Sequence, residues 1–460
     1  MKIIPMALAA FLLPLLPPAS PSHTTECATE ASVDFDGDGV DDVVAGDPFA
    51  AVDGLTGAGA VHVVSGRRTT MIGAPRPAGG DGFGWSVAVA RLDDDACADL
   101  VVGAPYADVD GKTDAGAVYL LYGGAERDVR VVAPDPQEGA HFGWSVAATP
   151  DDGGVVAIGA PHEDDDGVRD AGAVYLLRAD DPDTLTRISQ ESKGLIGNSE
   201  TGDMFGWSLA LGAMIGDADR IDLAVGAPHE NSDGSGRQNE QGMADTGGCF
   251  VIRDPLASDG SYEGVKWEMS VVVAESADGE PPAQRTPGDR FGYAVSYVEG
   301  HLAVSAPLAD VRGVADTGLV HVLRTDGREM VPGVTLFREE DAVPGDGFGF
   351  SVALGAVQGE REPRLAVGVP FARDGQGAVQ LIRLSDPARS ELLTAPGLAR
   401  ARRLGWSVAF SGNRLAAGVP DDGTGGGVGL LGRNQDTFTI VTPKTPANAT
   451  AADTGASVAG

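Results

Sequence analysis

Cysteine is scarce, with only Cys27, Cys97 and Cys249 in 460 residues. That leaves room for one disulfide at most. Cys27 and Cys97 lie outside the apolar strand-like runs and are free to pair after export, yet an odd count fits three unpaired thiols equally well. Cys249 stands inside an apolar run and reads as a buried thiol. Positive charge is also short: 33 Lys and Arg face 67 Asp and Glu, a net charge of −34. A surface of that sign repels phosphate backbones and anionic headgroups, which argues against nucleic acid and anionic membranes as partners. It suits divalent cations and basic partners, although solubility alone accounts for it as well.

Long apolar runs are missing after the first, in which Met1-Lys2 is followed by Ile3 to Leu16 and then Pro17-Pro18-Ala19-Ser20. One positive charge, a short apolar core and a small-residue end read as a secretory signal peptide over residues 1–20. At about 14 residues the run falls short of the ~20 that a membrane-spanning helix needs, so no integral span is expected in the mature chain. Catalytic signatures are absent too: there is no nucleophile elbow, no Cys–His constellation and no phosphate loop.

Glycine is abundant instead, at 66 residues, about twice the usual share of roughly 7%. Much of it belongs to a repeat. One tripeptide theme recurs as Gly46-Asp47-Pro48, Gly103-Ala104-Pro105, Gly159-Ala160-Pro161, Gly226-Ala227-Pro228, Ser305-Ala306-Pro307, Gly368-Val369-Pro370 and Gly418-Val419-Pro420. A second theme precedes six of these, as in Phe83-Gly84-Trp85-Ser86-Val87 and Phe142-Gly143-Trp144; a third follows, as in Ala115-Gly116-Ala117-Val118-Tyr119. A looser apolar stretch completes each unit. Four short β-type runs broken by Gly, Pro and Asp turns, repeated seven times at roughly 60 residues, predict an all-β, seven-bladed β-propeller of four-stranded antiparallel blades. The aromatic at 85, 144, 207, 293, 350 and 406 recurs at one register and reads as inter-blade packing.

Phe-Gly, Gly-Ala-Pro and Gly-Ala-Val-Tyr together resemble the FG-GAP repeat of the integrin α-subunit propeller. The resemblance spans about residues 32–442 and implies an extracellular or cell-surface interaction module. It departs from the pattern in the first unit, which has no Phe-Gly before Asp34. The propeller is therefore bounded at residues 27–442, with Phe438-Thr439-Ile440-Val441 expected to help close the ring in blade 7. The tail 443–460 is small and polar and is expected to be disordered.

Blade 1 contains Asp34-Phe35-Asp36-Gly37-Asp38-Gly39-Val40-Asp41-Asp42. Asp34, Asp36, Asp38 and Asp42 at loop positions one, three, five and nine, with the Val40 carbonyl at seven and a turn glycine at six, form the oxygen-ligand pattern that Ca2+ favours. Ala45 stands where a helical EF-hand would need Glu, so this is instead the β-hairpin calcium loop that the FG-GAP resemblance implies. Blade 2 keeps Asp93, Asp95 and Asp99 but has Arg91 first, which makes it a weaker calcium candidate. Blade 4 keeps Asp222 and has Ala218 at position five.

With strands A to D antiparallel, A–B loops share one face with C–D loops, and B–C loops share the other with D–A loops. The calcium loop belongs to the first face. The residues after each Gly-Ala-Pro open the second: Phe49, Tyr106, His162, His229, Leu308, Phe371 and Asp421. Three aromatics and two histidines on one rim of loops form a candidate ligand face, and the unequal loop lengths suit a protein or glycan partner. Simple capping of the blade tops accounts for them equally well. His162-Glu163 and His229-Glu230 suggest a metal or acid–base pair, but repetition of the unit explains the match without catalysis. Asp114, Asp170, Asp245 and Asp316 recur before the third strand and read as turn caps. The reading is an adhesion or interaction module rather than an enzyme, with a carbohydrate-binding, lectin-like propeller as the alternative and a hydrolase or lyase behind it.

Overall fold

The computed structural model describes residues 27, 33–66, 68–125, 127–149, 154–216, 220–231, 243–257, 260–269, 286–338, 342–355, 362–398, 402–412, 414–420, 426–432, 435–442 and 457–459. The expected signal segment, residues 1–20, lies outside them. Seven four-stranded antiparallel sheets follow one another along the chain. Blade 2 sets the pattern with strands A to D at Ser86–Ala90, Asp99–Ala104, Ala117–Leu121 and Asp128–Val131. Strands B and C are buried throughout, while strand D alternates toward solvent. A strand packed on both faces reads as a continuous apolar run, which is why Leu100-Val101-Val102 does not alternate. The A strands of neighbouring blades touch all the way round the ring.

The recurring motif is the clasp between blades. The phenylalanines of the Phe-Gly pairs, Phe83, Phe142, Phe205, Phe291 and Phe348, are fully buried, as is Leu404 in the sixth. Each Phe-Gly glycine faces the first residue of the preceding blade's Gly-Ala-Pro theme, a glycine everywhere but at Ser305, so closely that a methyl at Gly103 would lie 2.1 Å from the Gly143 carbonyl oxygen. That carbonyl accepts the Ser86 hydroxyl at 2.8 Å, and Ser145, Ser208 and Ser351 repeat the bond into their next blades. Glycine at both positions is thus a matter of space, not of turn geometry alone.

Ring closure differs from the expectation. Thr439–Val441 forms strand D of blade 7. The strand that completes blade 1 is Ser457–Ala459, paired antiparallel with Val43–Asp47. Those three residues therefore belong to the propeller and not to a disordered tail, and the propeller extends past the boundary drawn at 442. Ser457 donates to the Gly84 carbonyl at 2.9 Å, as Ser86 does to Gly143. Gly455-Ala456-Ser457-Val458-Ala459 matches Gly84-Trp85-Ser86-Val87-Ala88 position by position. The opening motif missing from blade 1 lies at the other end of the sequence, with Ala in place of the aromatic.

Cys27 and Cys97 form a disulfide, and Cys249 is a buried free thiol. Removing residues 443–460 is expected to leave blade 1 with three strands and lower the melting temperature by at least about 5 °C in calorimetry. An unchanged melt would mean that the strand contributes nothing to closure.

Candidate functional site

The blade 1 hairpin is built around two buried aspartates, Asp34 and Asp42. Asp34 Oδ1 accepts the amides of Gly37 and Asp38 at 2.7 and 3.1 Å, and its Oδ2 accepts Gly39 at 2.9 Å. Asp42 Oδ2 accepts the Phe35 and Asp36 amides at 2.9 and 3.4 Å. Each of Asp34, Asp36 and Asp42 presents an oxygen within 4.8 Å of the others. Asp38 turns its Oδ2 to the Ser65 hydroxyl at 2.6 Å, and Val40 is exposed. Burial first, then the charge of Asp36, pushes the Asp42 carboxyl up to about 6. Burial and then Asp38 raise Asp36 as well.

The same aspartate recurs at the start of strand B in blades 2 and 4, and the comparison isolates what blade 1 lacks. Asp99 accepts the Leu92 amide on Oδ2 at 2.5 Å and the Gly123 amide on Oδ1 at 2.8 Å. Asp222 likewise accepts the Met214 and Ile215 amides on Oδ2 and the Asp254 amide on Oδ1. Both carboxylates are fully used. Asp42 Oδ1 is buried without a hydrogen-bond partner. An acceptor-only oxygen left bare beside two further carboxylates fits a hard cation. In blade 2, Asp93 and Asp95 take local amides, Asp95 and Cys97 at 3.2 and 2.8 Å. The blade 2 carboxylates form no such three-residue group among the described residues. Ala218 lies outside the described residues.

The opposite face carries a continuous aromatic surface. Trp85, Trp144, Trp207, Tyr293, Phe350 and Trp406 touch in sequence with ring centroids 4.5 to 5.7 Å apart. They pack blade to blade, as expected, yet each stays half-buried. The rim residues stand on them edge-on: Phe49 and Tyr106 on Trp85, His162 on Trp144, and Phe371 on Phe350 and Trp406. His229 lies tilted on Trp207. Phe49, Leu308 and Phe371 are exposed large apolar side chains. Asp421 and most of the long blade 4 loop, residues 232–242, lie outside the described residues.

Sequence reasoning missed several members of this face. His141, from a D–A loop, bridges Tyr106 and His162 with centroids 5.0 and 4.8 Å away. Arg403 lies over Phe371 and Trp406. The turn aspartates stand in left-handed backbone and are capped rather than capping: the Asp114 and Asp170 amides donate to the Asp108 and Asp164 carboxylates. Their own carboxylates also meet the rim, with Asp170 Oδ1 3.5 Å from His162 Nδ1 and Asp245 Oδ1 3.1 Å from His229 Nδ1. Arg290 donates to His229 Nε2 at 2.8 Å, so the proton on that ring is on Nδ1. Burial lowers the pKa of His141 to about 4, and it lowers His162 and His229 too, leaving all three neutral at pH 7.

The glutamates of the two His-Glu pairs point inward. Glu163 is held by Arg187 and Tyr175, and Glu230 by Lys266 and Gln190, each at 2.6 Å. Neither meets its histidine as an acid–base pair. Between blades 3 and 4 a second acid, Asp203, is fully buried. Burial and then the Glu230 charge push its carboxyl up to about 9. Its folded pKa lies above the unfolded one, so its stabilising effect is complete below about pH 4 and is lost as pH rises toward 9. Asp203→Asn is expected to raise the melting temperature by about 2–5 °C at pH 8 and to leave it unchanged at pH 4, which thermal melts across that range will read.

An FG-GAP repeat family model matches residues 28–64 and 83–121, and a second model of the same description matches 126–177. Integrin alpha-PS2 of Drosophila melanogaster is 34% identical over 212 residues, 42% of this chain and 14% of that protein. Rat integrin alpha-7 is 32% identical over 200 residues, 42% of this chain and 15% of that one. The phosphatidylinositol-glycan-specific phospholipase D of Bos taurus is 29% identical over 173 residues, 34% of this chain and 19% of the enzyme. The matches thus cover less than a fifth of the length of each of these relatives. A solved GH74 xyloglucanase from Xanthomonas campestris aligns over 87% of this chain and 52% of its own at 14% identity, with a TM-score of 0.45. Residues 28–64, 83–121 and 126–177 thus match the FG-GAP repeat, and part of the chain is similar in sequence to integrin α subunits. No helix among the described residues is long and apolar enough to cross a membrane.

Proposed function

We propose that this FG-GAP repeat propeller is an exported, non-enzymatic interaction platform, with Ca2+ holding the blade 1 hairpin and a protein partner docking on the opposite face. The observation that carries the docking part is the aromatic surface of the B–C loop face, where Phe49, Leu308 and Phe371 leave apolar area open to solvent. Large aromatics on rigid loop bases are the residues that anchor protein interfaces. Their flanking aspartates and the acidic chain favour a partner with basic character. Export is supported by the leader-like N-terminus and by the Cys27–Cys97 disulfide, which needs an oxidising compartment. The non-enzymatic reading rests on the inward, ion-paired Glu163 and Glu230 and on His229, whose two ring nitrogens both have partners.

For the cation, Asp34, Asp36 and Asp42 are the residues that would hold it, and the bare Asp42 Oδ1 is the oxygen that favours its presence. When bound, Ca2+ would neutralise the mutual repulsion of these carboxylates and fix the A–B hairpin. Asp93, Asp95 and Asp99 are the weaker second loop, since local amides already use their oxygens.

Chelator is expected to lower the wild-type melting temperature by about 5 °C or more, and Asp36→Ala to abolish that difference. A wild-type melt indifferent to chelator would remove calcium from the fold. Pull-down with the mature chain identifies the partner, and a glycan array asks whether a sugar binds instead. Replacing Tyr106, His162 and Phe371 together by Ala is expected to weaken binding of the identified partner at least about tenfold with little change in melting. Undiminished binding would move the interface off this face.

A further inference from the structure

Blades 2 and 3 carry the same side-chain pair across strands C and D, Tyr119 opposite Arg130 and Tyr175 opposite Arg187. In blade 3 that pair grips an internal carboxylate. The Tyr175 hydroxyl donates to Glu163 Oε2 at 2.8 Å, and Arg187 donates to Glu163 Oε1 at 2.7 Å and to Asp165 Oδ1 at 3.0 Å. Blade 2 has neither acid. Ala107 stands in the place of Glu163, and Val109 in the place of Asp165. The Tyr119–Arg130 pair instead lines a cavity of about 470 Å³ between the D–A loop at Arg76–Asp81 and the B–C loop at Tyr106–Asp114.

Arg130 is exposed, reaches the backbone carbonyl of Asp108 at 3.4 Å, hydrogen-bonds to the Tyr119 hydroxyl, and lies close enough to Asp81 for its charge to act on that carboxyl. Neither it nor Arg76 is ion-paired with a carboxylate among the described residues. Asp81, in the place of Ala140 beside blade 3, is buried and accepts the Ala78 amide. Asp108 is exposed and accepts the Asp114 amide at 3.1 Å, and the Asp114 carboxylate lines the cavity as well. Tyr119 is buried, with its ring against Phe83. The arginine and phenol that a neighbouring blade uses to bind a carboxylate thus line this cavity together, with Arg76 beside them.

We infer that this cavity binds a carboxylate of a peptide partner, seated where the Glu163 carboxylate sits in blade 3. The Tyr119 hydroxyl and the Arg130 guanidinium donate to it, and Arg76 adds charge. Tyr106 lines the cavity and also packs on Trp85 at 5.3 Å, which makes the site continuous with the aromatic surface. That continuity favours a peptide over a free small acid. The inference deepens the docking reading above by assigning the group that one end of the partner presents.

The test uses the mature chain and three fluorescein-labelled peptides read by polarisation: Gly-Gly-Ala with a free C-terminus, Gly-Gly-Ala amide, and Gly-Glu-Ala amide. At least one acidic peptide is expected to bind about tenfold or more tightly than the neutral amide, and which one does so separates a C-terminus from an acidic side chain. Arg130→Ala, at an exposed position, is expected to remove that preference. The double variant Asp81→Ala, Ala107→Glu rebuilds the blade 3 arrangement and is expected to block the acidic peptide and raise the melting temperature. Equal binding of acidic and neutral peptides, no binding at all, or a preference that survives Arg130→Ala would overturn the inference. Those results would leave the docking face intact, because its test includes Phe371, which does not line the cavity.

Discussion

A ring of blades holds only if its last member grips its first, and in this propeller every device serving that contact lies at one seam. The strand Ser457–Ala459 completes blade 1, and Ser457 reaches across to Gly84 of blade 2. From blade 7 the Ser411 hydroxyl donates to the Asp42 carbonyl at 2.5 Å and Arg414 reaches the Asp41 carbonyl at 3.4 Å. On the other side the Ala98 amide of blade 2 donates to the Asp34 carbonyl at 2.9 Å, next to the Cys27–Cys97 disulfide. The acidic hairpin is therefore the piece wedged between the first, second and last blades. A three-residue strand supplies few hydrogen bonds, and a cross-link is the kind of reinforcement such a joint needs, as a cation in the hairpin would be.

Elsewhere the ring repeats one contact, and the departures from it are where function collects. Serine to glycine carbonyl, glycine against glycine and buried phenylalanine recur from blade to blade. Above that clasp, each interface has two places for a buried acid: one in the D–A loop and one in the B–C loop. Blade 3 fills the second with Glu163 and blade 2 the first with Asp81, while blade 4 fills both with Asp203 and Glu230. Doubling the acid in a desolvated site forces one proton to stay. Having the acid in the D–A place leaves the blade 2 arginine facing a cavity. Small changes at equivalent positions thus make adjacent blades chemically different without altering the frame.

Much of this was legible in the residues. Seven Gly-Ala-Pro endings set the blade count, because a proline that ends strand B and a glycine that admits the next blade are local requirements. The acidic loop was legible for the same reason, as its pattern is local, although of its alternate aspartates Asp34, Asp36 and Asp42 converge while Asp38 turns to Ser65. What the residues left open involved partners distant in sequence. The closing strand was hidden because Ala456 replaces the aromatic and the motif lies hundreds of residues from the blade that it completes. The pairing of Cys27 with Cys97 was open until the seam brought them together.

Sequence by itself determined the fold, the blade count, the acidic hairpin and the rim positions, since each follows from short-range pattern repeated in register. Only the tertiary structure decided how the ring closes and which carboxylate oxygen is left bare. It also decided that the histidines of the rim stand apart from their adjacent glutamates, and that the packing aromatics double as an open surface. Those outcomes depend on what the neighbouring blade presents, and a repeat unit carries no record of its neighbour.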